Sequence, residues 1–326
     1  METIKGWFSK LKGTSWLKYG LHAAILIGLV VAAAKYLNGE EVLRALQDYN
    51  YAYVPLLLGL SIVYLLRKAW RCVILMRPVT YLDWQTMMRG YVAGTAATLL
   101  PGGITARAGL MHQAGVSVER SAGPVALSSI LDQAVFVVGA LIAALFVPAA
   151  RTPALILLGV VIVLGIIMAI PFIREKLLKA AGWAAKKLGF EDRWNGFIDC
   201  LPEILTWKRL LITFGITAAA VIPLIVVLDF SLRGLDVQVP YPTLFLAYIL
   251  PTMLGRISAL PAGVGVTEAG MVGYLSNAAA TADIDVITAA VAIFRITTVF
   301  FQALLGAIIY FLFWKGEGEL QTSESA

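Results

Sequence analysis

Residues 260–269 read Leu260-Pro261-Ala262-Gly263-Val264-Gly265-Val266-Thr267-Glu268-Ala269, and an earlier stretch, Leu99-Leu100-Pro101-Gly102-Gly103, breaks an apolar run by the same device. Each break is followed by a charge and an Ala-Gly pair: Arg107 before Ala108-Gly109, and Glu268 before Ala269-Gly270. Proline removes an N–H and glycine loosens the backbone, so both breaks free polar backbone groups that hydrocarbon cannot satisfy. Such breaks persist at membrane depth only inside protein or beside a water-filled cavity. Two of them in corresponding places of one chain point to a transport site.

The flanking segments identify the solvent. The chain has 326 residues, 60% hydrophobic and 14% charged, with a mean hydropathy of +0.82. That composition implies an all-α polytopic membrane protein. Apolar runs at about 19–37, 53–75, 121–147, 153–173, 210–228 and 286–314 are long enough to span. The first follows Lys5, Lys10, Lys12 and Lys18 as a signal peptide would, but its length reads as an uncleaved helix. Two shorter pairs, 90–100 with 104–111 and 244–260 with 267–280, flank the breaks. Eleven helical residues cover roughly 16 Å of a hydrocarbon core about 30 Å thick. Each pair therefore reads as a re-entrant helical hairpin with the break at its tip.

Charge sets the orientation. With the N-terminus inside, the segments 1–18, 67–89, 112–120, 174–209 and 315–326 collect nineteen of the 26 Lys and Arg on the inner side. The outer side keeps Lys35, Arg44, Arg151 and Arg233 and is otherwise acidic. Both termini are then expected in the cytoplasm of a cell-membrane protein, with the first hairpin entering from inside and the second from outside. The expected architecture is about six spanning helices plus two re-entrant hairpins in an inverted repeat. It forms one domain over 1–326, with halves at about 19–147 and 153–314. The inner segment 174–209 mixes Lys176, Lys179, Lys186 and Lys187 with Leu177, Leu178, Trp183 and Trp194. It reads as an amphipathic stretch on anionic lipid or as a solvated connector.

Ionisable side chains inside a bilayer are costly and normally face a partner or a cavity. Five stand at that depth: Arg107, Asp132, Arg256, Glu268 and Arg295. Arg107 begins a limb, where the helix dipole disfavours a cation, so it calls for a headgroup phosphate or an acid such as Asp132 or Glu268. Glu268 also begins a limb, where a carboxylate is favoured and can cap. It can also pair with a lipid amine, a proton or Arg295. Arg295 lies about ten residues into the last helix and is expected to face inward, toward Glu268 or a phosphate. Asp132 is placed similarly, and Arg256 is expected to satisfy carbonyls freed by the second break. Pro101, Gly102, Gly103, Pro261, Gly263 and Gly265 shape the two tips.

No GxSxG, HExxH, P-loop or zinc spacing occurs, and His22, His112, Cys72 and Cys200 form no ligand pattern. The sequence therefore suggests no catalytic residue, metal or cofactor, and its basic residues follow topology rather than a nucleic-acid surface.

Around Pro261-Ala-Gly-Val-Gly-Val-Thr-Glu268-Ala the chain resembles the transmembrane region of lysylphosphatidylglycerol synthases and their stand-alone flippase-like relatives. That family shows a P-G-G-x-G-x-x-E-A type signature followed by an arginine in the last helix, matched by Phe294-Arg295. An earlier L-P-G element matches Leu100-Pro101-Gly102, and an Asp in the next helix matches Asp132. The resemblance runs from about 20 to 314. It departs at Ile104-Thr105-Ala106-Arg107, which lacks the family's G-E, and at Ser128-Ser129, where a Glu-Arg pair is usual. The aminoacyl-transferase domain of the full-length synthases has no counterpart here, so the resemblance implies the flippase part alone.

Together these readings lead to an expected lipid transporter, flippase- or scramblase-like, acting on membrane lipids with anionic or zwitterionic headgroups. Two alternatives stand beside it. One is a scaffold for a cytoplasmic lipid-modifying or glycosyl-transferring enzyme, docked through 174–209. The other is a membrane enzyme acting on lipid-linked substrates.

Overall fold

A computed structural model describes residues 39–99, 109–187, 191–258, 260–279 and 282–314, and among these there is no β-strand. The principal helices are α1 (Gly39–Asp48), α2 (Val54–Met76), α3 (Trp84–Ala93), α4 (Val118–Phe146), α5 (Arg151–Ala169) and α6 (Pro171–Lys187). They continue as α7 (Glu191–Ile204), α8 (Trp207–Arg233), α9 (Tyr241–Ile257), α10 (Val266–Ala278), α11 (Ile284–Arg295) and α12 (Phe301–Phe313). A π-helical turn, Ile296–Phe300, joins α11 to α12.

Among the described residues, four segments are long and apolar enough to cross a bilayer: Tyr51–Met76, Arg120–Phe146, Trp207–Arg233 and Ile284–Phe313. The shortest, 26 residues, extends about 39 Å at 1.5 Å per residue. They coincide with four of the six expected spans. The expected span 153–173 falls on α5, which stops at Ala169 and is followed by an 86° bend into α6. Pro171 accounts for the stop, because the residue before a proline is driven out of the helical region, and Ile170 sits at φ −77°, ψ 111°. The expected first span, 19–37, lies outside the described residues.

The surface is apolar where a soluble protein's would be polar. Ile142, Leu155, Ile156, Ile222, Phe311 and Leu312 are all exposed, while Ser61, Lys68, Arg71, Asp132, Thr217 and Arg295 are buried. With hydrocarbon as solvent, polar groups gain by turning inward and outward apolar side chains cost nothing. The chain is an integral membrane protein.

Helices α2 and α8 make the most extensive helix contact, with Leu57, Val221, Leu224 and Leu228 in one apolar core. Around them the chain makes a reciprocal exchange. Helix α3 lies on α12, and α9 lies on α4. Each crossing is close because a glycine permits it. A Cβ on Gly306 would come within 2.6 Å of the Ala96 nitrogen and 2.7 Å of the Val92 carbonyl, and a Cβ on Gly139 would collide with the Phe245 ring.

Helices α9 and α10 form an antiparallel hairpin, seen in register: Gly255 lies against Thr267, and Pro251 against Gly270. The limbs match the expected 244–260 and 267–280 to within a few residues. The first break is different. Its leading limb starts at Trp84, not at 90, because Asp83 caps the helix by accepting the Thr86 N–H at 2.8 Å. It ends in a turn at Ala96–Leu99 that lies against the turn Pro261–Gly263 of the second break. A short helix resumes at 109–113. Pro101, Gly102, Gly103 and Arg107 lie outside the described residues.

Candidate functional site

Asp132 is the hub of a buried ion cluster. Lys68 and Arg71, three residues apart and so on one face of α2, both reach its Oδ1: Lys68 through Nζ, and Arg71 through Nη1 at 2.5 Å. Arg71 also donates to the Thr217 hydroxyl at 2.8 Å and to Ser128. Arg256 approaches Oδ2 at 3.5 Å and lies over the Phe136 ring, 4.9 Å from its centroid. One carboxylate on α4 thus ties α2 and α9 together, and Arg71 extends the link to Thr217 on α8. Three cations share it, so the cluster carries more positive charge than its acid neutralises.

The second break is closed by a different pair. Ala262 (φ 51°), Gly263 (φ 65°) and Gly265 (φ 86°) all take left-handed backbone, which the two glycines tolerate and Ala262 does not favour. Glu268, in the first turn of α10, accepts the Gly265 N–H on Oε2 at 2.6 Å. Arg295, in the last turn of α11, donates from Nε to Glu268 Oε1 at 2.5 Å and from Nη2 to the Ala262 carbonyl at 2.9 Å. The pair satisfies a donor and an acceptor that the break set free. It sits immediately before the π-helical turn, a local irregularity frequent at functional sites.

Both clusters border one cavity of about 1140 Å³, lined by Lys68, Asp132, Arg256 and Arg295 together with Pro261–Gly263 of the broken tip. Ser128, Gln133, Thr252 and Gln302 add polar groups to the wall, and Ile130 and Val138 form an apolar part of it. Ile130 and Val138 are also exposed, so the cavity communicates with the apolar surface of the bundle. Tyr248 stacks edge-on between Phe136 and Phe294, at 5.8 Å and 6.0 Å, and makes a rigid aromatic floor. Its volume exceeds the usual range for small-molecule sites.

The expected residues therefore divide. Asp132, Arg256, Glu268 and Arg295 gather at this cavity. Among the described residues Arg256 pairs with Asp132, and it is Arg295 that donates to the Ala262 carbonyl. The reason is reach: Arg256 lies on the last turn of α9, facing α4 across the cavity, whereas Arg295 approaches the tip from α11. Lys68 and Arg71 join these residues, although the charge count assigns the segment 67–89 to the inner side. They lie inside α2, 6% and 0% exposed. The sequence signal for their burial is Val73-Ile74-Leu75-Met76, which continues the apolar run beyond them.

No curated protein is similar enough to this chain to count as a match. The sequence profile of the lysylphosphatidylglycerol synthase TM region matches residues 20–306, most of the chain. That stretch holds the buried Asp132 hub, the broken tip at Pro261–Gly263 and the Glu268–Arg295 pair, and the chain belongs to the lysylphosphatidylglycerol synthase transmembrane-region family.

Proposed function

We propose that this protein moves a polar lipid between the leaflets of the cell membrane, in the manner of a flippase or scramblase, and that it is a transporter rather than an enzyme. One observation carries the reading: a large cavity, walled by a broken helix and by buried charges, that communicates with the lipid-facing surface. Asp132, Arg256, Glu268 and Arg295, joined by Lys68 and Arg71, would hold the headgroup while the tails stay in hydrocarbon. The crossed contacts of α3 on α12 and α9 on α4 support an inverted repeat whose halves rock about the cavity, with re-entrant hairpins entering from opposite leaflets. Both termini would be cytoplasmic, and no nucleotide-binding motif is present to drive the step.

Helix α6 supports a membrane-surface role for the connector 174–209. It has no buried residue and turns 86° from the apolar α5. Its exposed Phe172 and Trp183 carry Lys176 and Lys187 over their rings, at 4.2 Å and 4.9 Å from the centroids. We place α6 in the plane of the cytoplasmic interface.

The test is a leaflet-resolved lipid assay in proteoliposomes. Arg256→Gln and Asp132→Asn are each expected to slow lipid movement at least about tenfold, with Lys68→Met as a companion that leaves Arg71 on Asp132. Wild-type rates from both Arg256→Gln and Asp132→Asn would overturn the reading.

A further inference from the structure

The cavity carries an excess of positive charge. Lys68, Arg71 and Arg256 converge on the single carboxylate of Asp132, and Arg295 is matched by Glu268 alone. Four cations therefore face two carboxylates. Buried charge without a partner is costly in a low-dielectric interior, and the usual remedies are a counter-ion or a bound anion.

Donor capacity lies on the same side. An ammonium has three donors and a guanidinium five. Lys68 spends one on Asp132, and Arg256 makes a single approach of 3.5 Å, too long for a good hydrogen bond. Both line the cavity. The Arg256 side chain is 35% exposed, against 1% for Arg71, so Arg256 is the arm free to turn toward a ligand.

We infer that the cavity selects lipids with a phosphomonoester headgroup, held between Lys68 and Arg256, over phosphodiester lipids and over aminoacylated ones. A phosphomonoester carries about −1.5 to −2 charge near pH 7, which matches the excess of two. A phosphodiester carries a single negative charge and leaves one cation uncompensated. A lysylated phosphodiester is net positive and adds to the excess. The required chemistry is shared by diacyl lipids ending in phosphate and by long-chain isoprenoid monophosphates. This inference rests on the proposed lipid site.

The experiment measures lipid binding to the purified full-length protein in detergent by native mass spectrometry. The probes are dioleoyl phosphatidate, an isoprenoid monophosphate, phosphatidylglycerol and lysylphosphatidylglycerol. At least one monoester is expected to bind about tenfold or more tighter than phosphatidylglycerol, and which one does so identifies the source. The titratable groups lining the cavity are Lys68, Asp132, Arg256 and Arg295 with Tyr64, Tyr91, Tyr248 and Cys72; Arg71 and Glu268 stand behind them as partners of Asp132 and Arg295, and no histidine is among the described lining residues. Lowering the pH from about 7.5 to about 5.5 should then narrow the preference, because the monoester loses its second charge. Arg256→Gln should reduce monoester affinity about tenfold and Arg256→Lys much less, with melting temperature as the control for folding. Equal binding of phosphatidylglycerol, or tighter binding of the lysylated lipid, overturns the inference. So does an unchanged affinity in Arg256→Gln. Selective binding without lipid movement in proteoliposomes would overturn the transport reading alone. Movement indifferent to headgroup charge would overturn this inference alone.

Discussion

Arg295 closes the break that Glu268 begins: its guanidinium donates to the Glu268 carboxylate at 2.5 Å and to the Ala262 carbonyl at 2.9 Å. A residue at the end of α11 thereby holds the left-handed backbone of a tip more than thirty positions earlier. The Gly265 N–H and the Ala262 carbonyl, set free at the break, are satisfied by protein side chains.

The first prediction concerns this clasp. Arg295→Ala leaves a carboxylate and a carbonyl without their shared donor, and is expected to cost about 2–4 kcal/mol. Glu268→Gln keeps the side-chain volume and is expected to cost less. In a double-mutant cycle read by thermal unfolding in detergent, the two should couple by roughly 1 kcal/mol or more. Simple additivity would show that the pair does not hold the tip.

Glycine positions make a second prediction. Gly306→Val introduces a side chain where a Cβ already lies 2.6 Å from the Ala96 nitrogen, so α12 must lift off α3, at about 1–3 kcal/mol. Gly215→Ala meets nothing within 4 Å and replaces a mid-helix glycine of α8, which should stabilise by up to about 1 kcal/mol. Equal melting temperatures for the two variants would contradict the crossing of α3 and α12.

The Asp83 cap gives a pH dependence. Partial burial pushes this carboxyl upward, but hydrogen bonds from Thr86 and the charge of Arg89 outweigh it and hold the group below the ordinary carboxylate range. A group depressed on folding stabilises above its unfolded pKa, near about 3.9, and that contribution fades as pH falls through the folded value. Asp83→Ala should therefore lower the melting temperature at neutral pH and converge with wild type as acidification protonates the folded-state carboxyl, below its ordinary range. A deficit that stays constant across this range would rule out the charged cap.

Placement of α6 is open to direct measurement. Spin labels replacing Phe172 or Trp183 should be shielded from a water-soluble relaxant and open to oxygen in anionic vesicles, with the reverse at Arg174 on the opposite side of the helix. Reversing Lys176, Lys179 and Lys187 to glutamate should remove that protection. Labels equally exposed to the water-soluble relaxant at all three sites would place the connector in solution instead.

Much of this architecture is legible in the chain, because hydropathy and helix punctuation are local. Four spans, the α9–α10 hairpin and its tip follow from apolar runs and from Pro261, Gly263 and Gly265. The pairing of Glu268 with Arg295 is also foreshadowed, since a carboxylate in a first turn and an arginine deep in a span both need partners. The Asp132 hub is not legible to the same extent. Lys68 and Arg71 lie near the end of an apolar run and read locally as loop residues.

The solvent, the helical class and the two backbone breaks can be read along the chain, because each depends on residues near one another. Which charges meet depends instead on how distant helices pack. Asp132 receives Lys68 and Arg71 from α2 and Arg256 from α9 because α2, α8 and α9 pack around α4. That arrangement depends on contacts between residues more than sixty positions apart. The same burial that hides Lys68 and Arg71 from hydrocarbon concentrates their charge on one cavity. Local hydropathy records the charge of each residue, and only the folded bundle brings that charge to a single place.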